Sequence, residues 1–250
     1  MVDIHSHILW GVDDGAETFD DTLAMLKLAA DSGTTDIVAT PHANSRYRYD
    51  TEVVKQKIEQ ASASGSATPR IHRGCDFHLS FDNVQDAMDN PAKYSINGGR
   101  YLLVEFPNNN PLAGMKRVLA TLLDIGLTPI MTHPERHNHL RKINEDFREW
   151  IQMGCLVQVT AQSLLGRFGR QAEMSAWEMV RRGLAHFVAS DGHDVEHRPP
   201  RLDLAFDAVA SRLGQSHAQL LLIENPGAVL AGGSIRAPVP EPRPWYRWWK

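Results

Sequence analysis

The feature that most constrains the fold of this 250-residue chain is a regular alternation of short apolar runs with amphipathic helical patterns. Continuous apolar runs between helices are typical of parallel strands that are buried on both faces. The runs lie in the stretches "VDIHS", "TDIVATPHA", "RIHRGCDF", "GRYLLVEFP", "LTPIMTHPER", "CLVQVT" and "AHFVASDGH". About seven such units predict a single α/β domain, and their number favours a parallel β/α barrel over an open sheet.

The helical patterns between the runs have recognisable ends. Thr18 is the expected N-cap of the first helix, Asp21 follows three residues later, and Gly33 is the expected stop. The predicted apolar stripe of this helix is Leu23, Leu26 and Ala30. Further helices are predicted over about 111–125 and from near Asp203 onward.

Composition excludes several classes of protein. A net charge of -4 gives no reason to expect nucleic acid as a partner. Two cysteines, Cys75 and Cys155, cannot form a disulfide framework and suit a reducing compartment. The chain has no apolar run long enough to span a membrane and no signal-like N-terminal segment, so we expect a cytoplasmic protein. We expect one domain over residues 1–234 and a separate tail over 235–250.

Polar residues follow the apolar runs at the points where the predicted strands end. In a β/α barrel these ends meet at one rim, where active sites are built. The candidate metal ligands are His5, His7, Asp14, His42, Glu105, His133, Asp191 and His193. This nitrogen and carboxylate set without thiolates suits Mn, Fe or Zn. It exceeds the four ligands of a structural zinc site, so we expect at least two ions and a bound water that ionises near neutral pH.

Two arginines follow metal-type residues closely. Arg136 lies three residues after His133, and Arg198 lies seven after Asp191. A guanidinium is permanently charged and its paired donors fit phosphate oxygens, so both arginines are candidate phosphate ligands.

The ordered motifs "DIHSH", "GVDDGA", "ATPH", "VEFP", "HPER" and "SDGH" resemble the PHP (polymerase and histidinol phosphatase) superfamily. Within it, the chain is most similar to the bacterial metal-dependent protein tyrosine phosphatases of capsule and exopolysaccharide operons. The resemblance runs from Val2 to the "ENPGAVLAGG" segment. It implies a distorted seven-stranded β/α barrel that holds two to three divalent ions, chiefly manganese, with iron or zinc as alternatives.

The resemblance also implies how the ligands divide among three ions. His5, His7 and Asp191 would hold the first ion, Glu105 and His133 the second, and the third would take Asp14, His42 and His193. Asp76 stands where the family has a glutamate that bridges the first two ions. An aspartate is one methylene shorter, so that bridge must shift or become monodentate. His78 could compensate, or it could face solvent.

The implied reaction is attack on phosphorus by a hydroxide held between metal ions, with Arg136 and Arg198 on the phosphoryl oxygens. Asp191 or a neighbouring histidine would protonate the tyrosinate. The implied substrate is the phosphotyrosine tail of a membrane-associated bacterial tyrosine kinase. Two alternatives stay open: a small-molecule phosphoesterase such as a histidinol-phosphate phosphatase, and a non-catalytic metal-binding regulatory module. An open, tyrosine-lined rim would favour the protein phosphatase, and a deep capped pocket the small-molecule enzyme.

A thiol phosphatase is excluded, because such an enzyme needs an arginine six residues after its cysteine. Phe81 follows Cys75 at that distance, and Ala161 follows Cys155. The remaining histidines are expected at the surface, in packing or behind the ligands: His72, His137, His139, His186, His197 and His217. Among them His137 and His139 are candidates for substrate contact because they follow Arg136, and so are Arg46, Tyr47 and Tyr49 after His42.

The C-terminal "RPWYRWWK" combines tryptophan with basic residues, which is the composition of a membrane-interface anchor. Packing of these aromatics on the barrel or on a second subunit is the alternative.

Overall fold

The computed structural model describes residues 1–64, 69–107 and 114–240. Its strands are all parallel, as the continuous apolar runs predict. The strands are β1 (Val2–Ser6), β2 (Asp36–Ala39), β3 (His42–Ala43), β4 (Arg70–Arg73), β5 (Asp76–His78), β6 (Tyr101–Glu105), β7 (Thr128–Thr132), β8 (Leu156–Thr160) and β9 (Phe187–Ala189).

Helices follow most of these strands. They are α1 (Phe19–Asp31), α2 (Thr51–Ser62), α3 (Phe81–Asp89), α4 (Pro91–Tyr94), α5 (Met115–Asp124), α6 (Glu145–Gln152), α7 (Ala161–Leu164), α8 (Arg170–Arg181), α9 (Asp203–Leu213), α10 (Gln215–Gln219) and α11 (Asn225–Leu230). The helix predicted over 111–125 is α5, and residues 111–113 lie outside the described residues. Along residues 1–64, 69–107 and 114–240, none of the helices combines the length and apolar composition needed to cross a bilayer.

The strands form two sheets that meet at breaks inside two of the sequence-predicted runs. One sheet has the order β1-β2-β4, and the other has the order β3-β5-β6-β7-β8-β9. Thr40 and Pro41 separate β2 from β3, and Gly74 and Cys75 separate β4 from β5. Proline has no amide hydrogen for the ladder, which explains the first break. A Cβ on Gly74 would lie 2.8 Å from the Val38 side chain, so glycine is required at the second.

Backbone hydrogen bonds join the end of β9 to β1. The Asp191 amide donates to the His5 carbonyl at 2.9 Å, and the His7 amide donates to the Gly192 carbonyl at 2.8 Å. The carboxyl end of the last strand is thereby held beside that of the first. This contact brings the motif "SDGH" next to the N-terminal motif "DIHSH", although β1 ends at Ser6 and β9 ends 183 positions later at Ala189.

The first helix illustrates how the helices attach to the strands. Thr18 accepts a hydrogen bond from the Asp21 amide, and the Asp21 carboxylate accepts one from the Thr18 amide, which confirms the predicted cap. The buried face of α1 differs from the predicted stripe: it consists of Thr22, Met25, Leu26 and Ala29. The prediction was wrong for Leu23 and Ala30, because the Thr22 hydroxyl donates to the Ile8 carbonyl at 2.6 Å and turns this polar residue inward.

A candidate metal centre with two arginines

Most of the predicted metal ligands meet in one cluster at the carboxyl ends of the strands. Their nitrogen and oxygen atoms form three overlapping groups, each with ligand atoms within 4.8 Å of one another. The groups are His5, His7 and Asp76; His7, Asp14, His42 and His193; and His42, Asp76 and Glu105. The grouping differs from the implied division among three ions, because His7, His42 and Asp76 each lie in two groups.

The histidines of β1 are oriented by residues outside the predicted set. The Nδ1 atom of His5 donates to Gln158 Oε1 at 3.0 Å, and that of His7 donates to Asp13 Oδ2 at 2.7 Å. A proton on Nδ1 leaves the Nε2 lone pair free for a metal. The two Nε2 atoms lie 3.3 Å apart and point into the cluster.

His193, near the C-terminal end of the fold, also has its Nδ1 atom hydrogen-bonded and its Nε2 atom directed at the cluster. Its Nδ1 atom donates to the Asp191 carbonyl at 2.9 Å, while Nε2 lies 3.7 Å from Asp14 Oδ1. His42 Nε2 lies 3.4 Å from the same oxygen. Asp14 is half exposed, so its carboxylate forms the solvent side of this group.

Asp76 lies between the groups, despite its short side chain. Its Oδ2 atom is 3.6 Å from His5 Nε2 and 3.2 Å from His42 Nδ1. Neither Asp76 Oδ2 nor His42 Nδ1 forms a hydrogen bond with any described residue, although both atoms are buried. Buried polar atoms without partners are costly, so this arrangement fits a cation that binds both.

Glu105 extends the cluster toward His78 and His133. Glu105 Oε2 lies 3.7 Å from His42 Nδ1 and 3.5 Å from His78 Nδ1. His78 therefore faces the acidic edge of the cluster and is only 27% exposed, rather than pointing into open solvent. His133 Nε2 is 3.9 Å from Glu105 Oε1.

Two predicted ligands, His133 and Asp191, lie at the cluster but outside the three compact groups. Both have left-handed backbone conformations, with φ of 36° and 52°. Such conformations are strained for residues other than glycine and persist where the surroundings impose them. Asp191 Oδ1 lies 3.5 Å from His7 Nε2 and 3.6 Å from His5 Nε2, so this oxygen still faces the first group.

The two predicted phosphate ligands converge on Asp191. Arg136 and Arg198 both donate to Asp191 Oδ2, Arg198 at 2.5 Å. Their guanidinium carbons also lie 4.4 and 5.8 Å from the centre of the Phe168 ring. Burial alone would raise the pKa of Asp191, but Arg136, His5 and Arg198 hold it well below its ordinary value. Asp191 is therefore an ionised acceptor that places both arginines beside the cluster.

Two of the clustered histidines, His7 and His42, hold an extra proton when no cation is bound. Burial alone would lower the pKa of His7, but the Asp13 carboxylate raises it to about 9. The carboxylates of Asp14 and Asp76 likewise overcome burial and raise the pKa of His42 to about 11. A metal ion must displace these protons, so binding releases them.

Some of the residues predicted to contact a substrate lie beside the cluster, and others are buried in the core. The Tyr47 ring stacks on His42 with centroids 6.0 Å apart, and Arg46 lies 4.9 Å from the Tyr47 centroid. Tyr49 is buried in the core and is unavailable to a substrate. His137 is also buried: its Nε2 donates to the Pro107 carbonyl at 3.1 Å, so it holds a loop.

Sequence reasoning missed three residues of the site: Asp13, Gln158 and Phe168. Asp13 stands next to Asp14 in "VDDG", and this doublet was the available signal. Gln158 and Phe168 carry no local signal, because their partners lie far away in the chain.

Proteins named as tyrosine-protein phosphatases are similar to this chain over most of its length. CapC of Staphylococcus aureus is 36% identical over 211 residues, which cover 83% of this chain and 82% of CapC. Tyrosine-protein phosphatase CpsB of Streptococcus pneumoniae is 28% identical over 239 residues, 92% of this chain and 98% of CpsB. Tyrosine-protein phosphatase YwqE of Bacillus subtilis is 29% identical over 246 residues, 97% of this chain and 96% of YwqE.

Solved structures extend the comparison to the fold. A chain from the crystal structures of YwqE and CpsB, described as metal-dependent tyrosine phosphatases, superposes with a TM-score of 0.89 at 28% identity, over 98% of this chain and 100% of that one. A lactonase from Listeria monocytogenes superposes with a TM-score of 0.56 at 12% identity, over 94% of both chains, and shows the fold alone. Residues 1–231 match the family described as "Capsular polysaccharide synthesis, CpsB/CapC". The chain therefore belongs to the CpsB/CapC family.

Proposed function

We propose that this protein is a metal-dependent phosphatase that hydrolyses phosphotyrosine in a protein substrate. The observation that carries the proposal is the meeting of Arg136 and Arg198 at Asp191, whose other oxygen faces His5 and His7. This arrangement sets two guanidinium groups beside a cluster of metal-type ligands. Phosphoryl transfer depends mainly on such positioned positive charge.

Two to three divalent ions fit the cluster, with manganese as our first choice and iron or zinc as alternatives. The donor set consists of imidazole nitrogens and carboxylate oxygens without thiolates, and two of its buried atoms have no partner among the described residues. His5, His7, Asp14, His42, Asp76, Glu105, His133, Asp191 and His193 would hold the ions. When bound, the ions would supply Lewis-acid charge and an activated water nucleophile.

The chain's own residues would bind and aim the phosphoryl group. Arg136 and Arg198 would donate to its oxygens from the side of Phe168, against which both guanidinium groups pack. Asp191 would keep them in place through Oδ2. Because Asp191 is ionised, we assign it this positioning role and not that of the proton donor to the leaving tyrosinate.

The substrate proposed here is a bacterial tyrosine kinase that regulates capsular or exopolysaccharide synthesis. The names of CpsB and YwqE support a phosphotyrosine substrate, and the family description supports polysaccharide synthesis. We propose that the enzyme acts in the cytoplasm, at the inner face of the membrane where such a kinase is anchored. Residues 241–250, which include the tryptophan-rich segment, lie outside the described residues, so membrane contact by the tail stays a prediction.

We also propose that the fold is a distorted seven-stranded barrel over residues 1–234, followed by the tail. We count β2 and β3 as one interrupted strand, and β4 and β5 as another. The two sheets then contain seven parallel strands in total. The hydrogen bonds between β1 and the end of β9 support closure.

The test is turnover of a phosphotyrosine peptide by metal-stripped protein to which Mn, Zn, Fe or Mg is returned, with bound metal counted. We expect activity to return with two or more ions per chain. Arg136→Ala should weaken phosphate binding and leave metal content unchanged. Turnover of small phosphate esters without peptide turnover would indicate the small-molecule phosphoesterase, and full metal loading without any turnover would indicate the non-catalytic module.

A further inference from the structure

A second cavity adjoins the proposed active site at Arg136. Its volume is about 490 Å³, and a smaller cavity of about 120 Å³ lies over Glu105 and His133. The larger cavity is lined by Glu135, Arg136, Arg141, Phe168, Arg170 and Gln171. Arg136 lines both cavities, so a group bound in the larger one would be a direct neighbour of a phosphoryl group at the arginines.

Of the three arginines that line the larger cavity, Arg136 is paired with Asp191 and the other two have no such partner among the described residues. Arg141 is half-buried and Arg170 is exposed, and neither forms an ion pair with any described residue. Arg170 begins α8, whose N-cap Gly169 has no side chain to accept from the first-turn amides. The partial positive charge of the helix N-terminus therefore adds to that of the two arginines.

A buried carboxylate at the same cavity has one free acceptor. Glu135 Oε1 accepts from the Ser163 hydroxyl at 2.7 Å and from the Thr160 amide at 3.0 Å. Glu135 Oε2 is buried and accepts no hydrogen bond from any residue that the structure describes. The donors that the cavity offers to an anion are therefore its guanidinium groups, while the Glu135 carboxylate stays enclosed by the protein.

We propose that this cavity binds an acidic residue of the substrate, close in sequence to the phosphotyrosine. Its carboxylate would lie between Arg141 and Arg170. Because Arg136 lines both cavities, the carboxylate would belong to the same peptide that carries the phosphotyrosine. Because an extended chain advances about 3.3 Å per residue, adjoining sites suit a spacing of one to three positions. This inference rests on the proposed function, and it adds a specificity for acidic sequence around the phosphotyrosine.

The test compares two peptides that carry a non-hydrolysable phosphonate analogue of phosphotyrosine. One has glutamate at the three positions on either side of the analogue, and the other has glutamine there. Their dissociation constants are measured on the manganese-loaded wild-type protein and on the double variant Arg141→Gln, Arg170→Gln. Arg181→Gln is the matched control, because Arg181 is an exposed arginine at the opposite end of α8.

We expect the wild-type protein and Arg181→Gln to bind the glutamate peptide roughly tenfold more tightly than the glutamine peptide. The double variant should lose this preference and hydrolyse a simple aryl phosphate at the wild-type rate. Equal affinity for both peptides in the wild-type protein, or an unchanged preference in the double variant, would overturn the subsite.

The two proposals fail in distinguishable ways. Turnover of aryl phosphate together with indifference to peptide charge would overturn the subsite alone. A metal-loaded protein that prefers the glutamate peptide but hydrolyses no phosphate ester would overturn the proposed function and keep the subsite.

Discussion

Replacement of Asp13 by asparagine tests how the cluster holds His7. The Asp13 carboxylate is buried and accepts three hydrogen bonds: from His7 Nδ1 at 2.7 Å, from the His42 amide at 3.1 Å and from the Gly15 amide at 3.0 Å. An amide has only one oxygen, so either the first two bonds or the third must be lost. If the NH₂ group faces His7, it favours a proton on Nε2, the atom that would bind the metal.

The expected loss follows from these contacts. A hydrogen bond to a charged group contributes about 1.5–3 kcal/mol, and loss of a residue that orients a metal-binding histidine weakens metal binding roughly 10- to 100-fold. The affinity change is equivalent to about 1.4–2.7 kcal/mol, which agrees with the loss of one charged hydrogen bond. We therefore expect Asp13→Asn to weaken manganese binding by about that factor while the protein stays folded.

The assay is a manganese titration of stripped protein, with elemental analysis of metal content and a thermal melt as the folding check. Asp20→Asn is the control, because Asp20 is exposed on α1 and forms no hydrogen bond or ion pair with a described residue of the cluster. Folded Asp13→Asn protein with wild-type affinity and metal content would refute the view that Asp13 orients His7 for metal binding.

Three further predictions concern folding and the site. Burial lowers the pKa of His186 to about 4, below its unfolded value near 6.5. The contribution of His186 to the free energy of unfolding is therefore full above pH 6.5 and falls by up to about 3 kcal/mol as the pH drops to 4. Denaturant titrations should show a smaller fall for His186→Asn. Gly15→Ala should lower the melting temperature and the metal content, because the added Cβ would lie 2.0 Å from the His7 carbonyl oxygen. Gly227→Ala is the control: its added Cβ meets nothing within 4 Å, so both quantities should stay unchanged. Asp76→Asn should lower the number of bound ions per chain in elemental analysis, and an unaltered number would remove Asp76 from the proposed ligand set.

The positions of the strands and the residue types at their ends were accessible from sequence, because each depends on local pattern. Apolar runs that end in "DIHSH" or "SDGH" mark both a buried parallel strand and the polar side chains beyond it. The capping pair Thr18 and Asp21 was accessible for the same reason, because the two residues are three positions apart. The buried face of α1 could not be predicted in this way, because it depends on a hydrogen bond from Thr22 to the Ile8 carbonyl in the β1–α1 loop.

Residues that act through distant partners were outside the reach of sequence patterns. Gln158 orients His5 across 153 positions, and Phe168 packs against arginines from two different loops. The meeting of Arg136 and Arg198 on one carboxylate is of this kind as well: each arginine was predicted from its own motif, but their common partner was not.

The amino-acid sequence by itself determined which chemical groups reach the rim, because strand periodicity and the residues after each strand are local properties. Only the tertiary structure decided how those groups combine. Hydrogen bonds between β1 and the segment after β9 place Asp191 beside His5 and His7. The packing of separate strands also places His7, His42 and Asp76 in two groups each. The cavity between Arg136 and Arg170 likewise exists only where two loops meet, because no local pattern records the distance between separate segments.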